Sequence, residues 1–120
     1  MDIYTQEELE EALRVISSAI KRCEKAQAGF AEGTSQHTLL KNRIKALYIS
    51  EALIINVNVH KYTKEELTEA IRPVSSIISK CEKAQQKFTE GTSHHTRFSN
   101  MIKAMHISRS LITEEISKKG

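Results

Sequence analysis

A chain of 120 residues, in which 39% of the side chains are hydrophobic and 28% are charged, is long enough to bury the core of one compact domain. It contains one Pro, four Gly and no Trp, and this scarcity of turn-forming residues argues against a turn-rich sheet fold and favours an all-α protein. The net charge of +3 is too small for the concentrated basic face that binds duplex DNA, so we expect a small anion rather than nucleic acid as the partner.

The amino-terminal residues lack a basic segment followed by an apolar run, and no stretch approaches the roughly 18 apolar residues of a membrane span. We therefore expect a cytoplasmic protein that makes no membrane contact. In a reducing cytosol its two cysteines, Cys23 and Cys81, would be free thiols.

An internal duplication spans nearly the whole chain. A shift of 58 residues aligns Tyr4–Ile54 with Tyr62–Ile112 and matches 31 of 51 positions without a gap, including the runs Cys-Glu-Lys-Ala-Gln and Glu-Gly-Thr-Ser. The sequence therefore predicts one structural domain made of two helical hairpin repeats, residues 1–58 and residues 59–120.

Each repeat begins with a capping box, Thr5-Gln-Glu-Glu8 or Thr63-Lys-Glu-Glu66, in which the hydroxyl and the carboxylate satisfy each other's free backbone N–H. Core-type positions then recur every three or four residues, which is typical of the inward face of a bundle helix. In the first repeat these positions are Leu9, Leu13, Ile16, Ile20, Cys23, Gln27 and Phe30. Pro73 lies inside the corresponding helix of the second repeat, where we expect a kink.

Gly33 and Gly91 are expected to end these helices, because glycine readily adopts the left-handed turn that follows a helix. The Thr-Ser pair after each glycine then caps the next helix. Connections of only a few residues make neighbouring helices antiparallel. The prediction is an all-α, antiparallel four-helix bundle-like domain of tandem duplicated hairpins, with both glycine loops at the same end.

Near these loops the inward face becomes polar, and polar groups there must bond one another or a ligand. The free backbone N–H groups and hydroxyls of the following helix starts are suited to phosphate. We therefore expect a ligand-binding site formed by Gln27, Thr34, Ser35, His37, Thr38, Lys41, Gln85, Thr92, Ser93, His95 and Thr96. Asn42 and Asn100 would be available to recognise a base or ribose. The alternative interpretation is that the hydroxyls only cap helices and the lysines form a solvated face.

Other chemistry has weaker support. The cysteines and histidines lack the local pairs of a zinc site, and the Glu-x-x-His element of a di-iron bundle is missing from the sequence. Cys23 beside His37 would form half of a nucleophilic site without an acidic residue to orient the imidazole. We expect no metal, no cofactor and no enzymatic activity. Glu51 and Arg109 occupy equivalent positions and form either an ion pair between the hairpins or two unrelated surface charges.

The loop and the helix that follows it, Thr34-Ser-Gln-His-Thr-Leu-Leu-Lys-Asn-Arg-Ile-Lys-Ala-Leu-Tyr-Ile-Ser-Glu-Ala-Leu-Ile54, resemble the helical-hairpin domain of phage anti-CBASS and anti-Thoeris sponges of cyclic-nucleotide signals. The resemblance implies non-catalytic binding and sequestration of a small phosphorylated ligand, such as a signalling nucleotide, by a homo-oligomer. The alternative is a helical module for protein-protein interaction or oligomerisation without a small-molecule ligand. A third hypothesis, nucleic-acid binding through Arg97, Lys103, Arg109 and Lys118, predicts steep salt dependence.

Overall fold

The protein folds into four α-helices, as seen in a computed structural model that describes residues 3–119. The helices are α1 (Gln6–Gln27), α2 (Ser35–Ile55), α3 (Lys64–Gln85) and α4 (Ser93–Lys119), and a short 3₁₀ turn (Val59–Lys61) lies between α2 and α3. The predicted all-α, four-helix architecture is confirmed. None of the helices formed by these residues combines the length and the apolarity that crossing a membrane requires.

Both predicted capping boxes are present. The Thr5 hydroxyl accepts a hydrogen bond from the backbone N–H of Glu8 at 3.1 Å, and the Glu8 carboxylate accepts one from the backbone N–H of Thr5 at 2.9 Å. The corresponding distances between Thr63 and Glu66 are 3.0 and 2.9 Å. Local chemistry therefore fixes where α1 and α3 begin.

The glycine loops follow the prediction only in part, because α1 and α3 end at Gln27 and Gln85, six residues before the glycines that were expected to end them. Gly33 and Gly91 have φ angles of 90° and 93°, in the left-handed region that favours glycine. Thr34 and Thr92 each accept a hydrogen bond from the backbone N–H three residues later, at 3.2 and 3.3 Å, and so begin α2 and α4.

The linker between the repeats starts at Asn56, which ends α2 in a left-handed conformation with φ of 64°. Asn58 adopts a similar conformation with φ of 56°, and asparagine tolerates this region better than most residues. Pro73 lies inside α3, which continues on both sides of it, so the helix accommodates the lost backbone hydrogen bond without ending.

One hydrophobic core joins the two repeats. Ile16 and Leu47 from the first repeat and Leu67, Met105 and Ile112 from the second are fully buried in the same cluster. Each such side chain contributes on the order of 1.5–3 kcal/mol of hydrophobic free energy. The hairpins therefore pack on each other within one chain.

Two serines at equivalent positions lie inside this core. Ser50 and Ser108 are fully buried, and each hydroxyl donates to the carbonyl four residues earlier, Ala46 or Ala104, at 2.8 Å. Because the helix backbone itself satisfies these hydroxyls, the small side chains let the helices approach closely without an unpaired polar group.

Ion pairs at equivalent positions join the hairpins. Lys45 of α2 lies 2.9 Å from Glu66 of α3, and Lys103 of α4 lies 3.3 Å from Glu8 of α1. The first turn of each odd-numbered helix thus contacts the middle of an even-numbered helix from the other repeat. The Cα extents of 41 × 39 × 19 Å are nearly equal in two directions, which four helices running side by side along one axis would not give.

Glu51 and Arg109 each bind within their own hairpin. The Glu51 carboxylate accepts a hydrogen bond from Ser17 at 2.9 Å, and Arg109 donates to Ser75, the equivalent serine, at 3.3 Å. The exchange of charge between the repeats is therefore accommodated by a serine hydroxyl, which can donate to a carboxylate or accept from a guanidinium. Of the two alternatives that the sequence left open, the ion pair between the hairpins is therefore not formed.

Candidate functional site

The predicted polar residues at the loops are engaged mainly with their own hairpin. The Gln27 amide donates to the backbone carbonyl of His37 at 3.3 Å, and the Gln85 amide donates to that of His95 at 3.2 Å and also bonds the Ser99 hydroxyl. Both glutamines are half-buried. They tie the end of the first helix of each hairpin to the start of the second.

The hydroxyls at the loops have local partners as well. Besides capping, Thr34 donates to the Ala31 carbonyl at 2.7 Å and Thr92 donates to the Thr89 carbonyl at 2.8 Å. His37 and His95 are half-buried. The remaining predicted site residues lie on the exposed surface of the two helix starts: Ser35, Thr38, Lys41, Ser93 and Thr96.

A concavity lies between the hairpins, where the second half of α1 meets the start of α4. Its volume is about 610 Å³, within the range of roughly 300–1,000 Å³ that is typical of small-molecule sites. This interhairpin groove is lined by Glu11, Arg14, Val15, Ser18, Ala19, Arg22, Cys23, Arg43, Leu47, Ile77, Lys80, Cys81, His94, Arg97, Phe98, Asn100 and Met101.

The groove carries an excess of positive charge. Its single carboxylate, Glu11, is held by the Arg14 guanidinium through two contacts of 2.6 and 2.7 Å. The other cations of the groove take no part in the ion pairs that residues 3–119 form. These cations are Arg22, Arg43, Lys80 and Arg97. Such a concentration of one charge in a concave surface attracts anions.

Arg43 is the innermost of these cations. It lies one helical turn before the fully buried Leu47, is half-buried itself, and has a buried Nε that finds no acceptor among the described residues. A buried N–H without a partner costs about 1–3 kcal/mol, which an anionic acceptor would offset. The equivalent residue in the second repeat, Met101, has no polar group to satisfy.

The two cysteines line the same groove. Burial raises the pKa of both the Cys23 and the Cys81 thiol, and the positive charges of Arg43 and Arg22 oppose that shift only in part. Both cysteines therefore lie within electrostatic reach of the same two arginines. With raised pKa values they remain protonated at neutral pH and act as a weakly polar wall instead of as nucleophiles.

Aromatic rings form the side of the groove at the start of α4. The ring of Phe88 stacks on His94, with centroids 4.7 Å apart and planes at 21°, and on Phe98, with centroids 5.9 Å apart and planes at 26°. His94 and Phe98 line the groove, whereas Phe88 supports them from the loop. Asn100, predicted as a base- or ribose-recognising residue, lies in the same wall.

A smaller concavity of about 390 Å³ lies between α2 and α3, and its charges balance. Lys45 is paired with Glu66 there, and Arg72 and Glu69 also line it. Asn42, the counterpart of Asn100, lies in it as well. Of these two concavities, the interhairpin groove is the larger and the more basic.

None of the eleven residues predicted as ligand-binding lines the interhairpin groove. Sequence reasoning missed Arg22 and named Arg97 only in the nucleic-acid hypothesis, because each resembles an ordinary exposed charge when its helix is considered alone. Arg43 could have been recognised from the sequence, because a basic residue one helical turn before a core leucine lies on the inward side of its helix. Within residues 3–119, no three His, Cys, Asp or Glu side chains come together as metal ligands would.

Comparison with known protein families matches residues 3–100 to the sequence model of the VirE3 family. The match includes α1, α2, α3 and the first eight residues of α4, and so covers every residue of the groove but Met101. Neither a curated protein nor a solved structure matches the chain significantly.

Proposed function

We propose that this chain, which belongs to the VirE3 family, binds and sequesters a small phosphorylated ligand in the interhairpin groove, without turning it over. The observation that carries the proposal is the set of four cations that form no ion pair within residues 3–119, together with the buried Nε of Arg43, which has no partner among the same residues. In this proposal the predicted loop residues hold the hairpins in shape and the groove holds the ligand.

Phosphate suits these groups better than other small anions do. Arginine presents a planar fork of N–H donors that matches two oxygens of one phosphate, and such charge-assisted bonds are roughly twice as strong as neutral ones. Arg22 and Arg97 lie on the exposed rim, whereas Arg43 is partly desolvated. A ligand with several phosphates, or with one phosphate on an extended body, would contact both the exposed arginines of the rim and the partly buried Arg43.

Binding without turnover is supported by the groups that line the groove, whose one imidazole, His94, stacks on Phe88 and has no carboxylate beside it in the lining to orient it. Both thiols are protonated at neutral pH, and the carboxylate of Glu11 is occupied by Arg14. Arginine cannot act as a general base because its guanidinium stays protonated. A bound ligand should therefore leave the groove unchanged, which mass spectrometry of the recovered ligand would verify.

The test is calorimetric titration of the full chain with inorganic triphosphate. We expect saturable binding that the double variant Arg43→Met with Arg97→Leu weakens at least about tenfold, since two charge-assisted contacts are lost. Both replacements occur at the equivalent positions of the other repeat, Met101 and Leu39, so the fold should tolerate them.

The matched control is His37→Ala with His95→Ala, which changes both loops and leaves the groove intact. Binding that this loop variant abolishes, while Arg43→Met with Arg97→Leu leaves it unchanged, would place the ligand at the loops and overturn the groove as its site. Absence of any triphosphate binding would refute the proposal as a whole.

A second candidate function is interaction with a protein or with another copy of this chain. It is favoured by Ile55 and Val57 at the end of α2, which are 50% and 51% exposed although both are large and apolar. Homo-oligomerisation, which the resemblance to phage sponges implies, would bury such residues. Native mass spectrometry of the wild type and of the double variant Ile55→Ser with Val57→Ser tests this. An oligomer that the wild type forms and the double variant does not would support this function.

A further inference from the structure

The two repeats differ most informatively where α4 faces the groove. His94, Arg97 and Phe98 line it, and their counterparts in α2 are Gln36, Leu39 and Leu40. The neighbouring Asn100 is unchanged, since its counterpart is Asn42. Between otherwise similar helices, the second repeat therefore has two rings and one cation at the positions that face the interhairpin groove.

The rings are held in a defined orientation. His94 and Phe98 are four residues apart on α4 and so lie on one face of the helix. Phe88 stacks on both of them from the loop, at centroid distances of 4.7 and 5.9 Å. Because Phe88 does not itself line the groove, it restricts the two ring planes and leaves their groove-facing surface available.

The cationic and aromatic parts of the groove are close enough to act on one ligand. Arg97 directly precedes Phe98 on α4, and Arg22 and Arg43 belong to the same concavity of about 610 Å³. An inorganic anion would use only the cations. The aromatic wall would contact the ligand only if the ligand also carries a flat π-system. Stacking on aromatic side chains is how proteins commonly bind single bases.

We propose that the ligand of the interhairpin groove is a nucleoside phosphate, whose base stacks on His94 and Phe98 while its phosphates bind Arg22, Arg43 and Arg97. This inference rests on the proposed function and specifies its ligand class. Asn100, in the same wall, has the paired amide donor and acceptor that can bond a base edge or a ribose hydroxyl.

The experiment compares ATP with inorganic triphosphate on the full chain, both without divalent metal. We expect ATP to bind at least about tenfold more tightly than triphosphate, although triphosphate has the higher charge density, because stacking adds affinity that charge does not supply. The double variant His94→Gln with Phe98→Leu replaces both rings by the first-repeat residues. It should lower the affinity for ATP to that for triphosphate and keep the affinity for triphosphate within about twofold of the wild-type value.

Phe30→Leu is the matched control, because Phe30 is the first-repeat counterpart of Phe88 and does not line the groove; it should change neither affinity. If the half-buried Phe98 proves necessary for folding, His94→Gln alone keeps the test decisive, since His94 is exposed. That single change should weaken the binding of ATP about fivefold and leave the binding of triphosphate unchanged.

The outcomes separate the two proposals. Equal binding of ATP and triphosphate, unaffected by the ring replacements, would overturn the nucleoside assignment and leave anion binding in place. Loss of binding to both ligands in the ring variant would also overturn it, since the rings would then support the fold instead of a base. No binding of either ligand to the wild type would remove the proposed function and this inference together.

Discussion

Lys45 of α2 lies 2.9 Å from Glu66 of α3, the carboxylate that also closes the capping box of α3. The Glu66 side chain thus accepts a hydrogen bond at the start of its own helix and forms an ion pair with the neighbouring hairpin. Glu8 does the same with Lys103 at 3.3 Å. Both pairs are exposed, so the Coulombic attraction itself contributes little, but the geometry couples the start of each first helix to the contact between the repeats.

This coupling predicts a pH dependence of stability. The backbone hydrogen bond from the N-cap threonine is the largest cause that lowers the pKa of Glu8 and of Glu66, followed by the hydrogen bond from the lysine. A lowered pKa means that the stabilisation is present at neutral pH and is lost as the pH falls from about 5 toward 2. The melting temperature of the wild type should therefore fall more steeply over this range than that of Glu8→Gln with Glu66→Gln. Parallel melting curves for the two proteins would contradict the assignment.

A second prediction concerns the glutamine ties at the loops. Removing the amide in Gln27→Ala should lower the free energy of unfolding by about 0.5–1.5 kcal/mol, as measured in urea, because the half-buried His37 carbonyl loses a donor. Gln85→Ala should cost more, since that amide also bonds Ser99. The control is Gln36→Ala on the exposed surface. Triphosphate binding should survive both loop changes, and its loss in a folded variant would return the ligand to the loops.

The cysteines give a chemical test of the groove. Because burial raises the pKa of Cys23 and of Cys81, alkylation by iodoacetamide at neutral pH should be slower than that of free cysteine. The rate should still be rising at a pH where free cysteine has levelled off. The single variants Cys23→Ala and Cys81→Ala assign the two rates. Saturating triphosphate should slow both reactions, whereas protection of neither thiol would mean that the anion binds elsewhere.

A fourth prediction concerns the loop glycines. An added Cβ at Gly33 would meet open space within the described structure, but the φ angle of 90° is one that residues with a side chain rarely adopt. Gly33→Ala should therefore lower the free energy of unfolding by about 1 kcal/mol through backbone strain alone. Gly29→Ala is the control, because Gly29 has no such φ and a Cβ there makes an ordinary contact of 3.4 Å with the Ala26 carbonyl. Equal effects of the two changes would contradict this origin.

The starts of the helices could be predicted because the chemistry that sets them is local. Thr5 and Glu8 are three residues apart, so their reciprocal hydrogen bonds depend on no other part of the fold. The ends of α1 and α3 were predicted wrongly, because these helices stop at Gln27 and Gln85 and not at the glycines. Phe30, expected on the inward face of α1, therefore lies in the loop and is exposed.

The composition of the core was predicted less well. Ile16 and Ile20 are buried as expected, whereas Leu9 and Leu13 are only half-buried and Ala12 is buried in their place. The expected stripe assumes helices that run side by side along their length. Where the hairpins spread apart, contact narrows to a crossing region, and there small residues permit close approach while larger ones remain at the edge.

The interhairpin groove could not be predicted for a different reason. Arg22 and Arg97 belong to different repeats and are 75 positions apart in sequence, so no local pattern places them in one concavity. Their pairing depends on how the second hairpin packs on the first. The polar glutamines near the loops were a visible signal, but their amides bond the backbone carbonyls of His37 and His95 within their own hairpins.

The ion pairs between the repeats bear on the origin of the chain. The first repeat alone contains both partner types, Glu8 and Lys45, and the second contains Glu66 and Lys103. Two identical hairpins related by a twofold axis could make the same pair of contacts, each giving its lysine to the other. The contact between the repeats therefore has the isologous form of a homodimer fused into one polypeptide. Fusion removes the obligation of the two sides to stay alike, which allows Arg43 and Arg97 to line the groove although their counterparts in the other repeat are Met101 and Leu39.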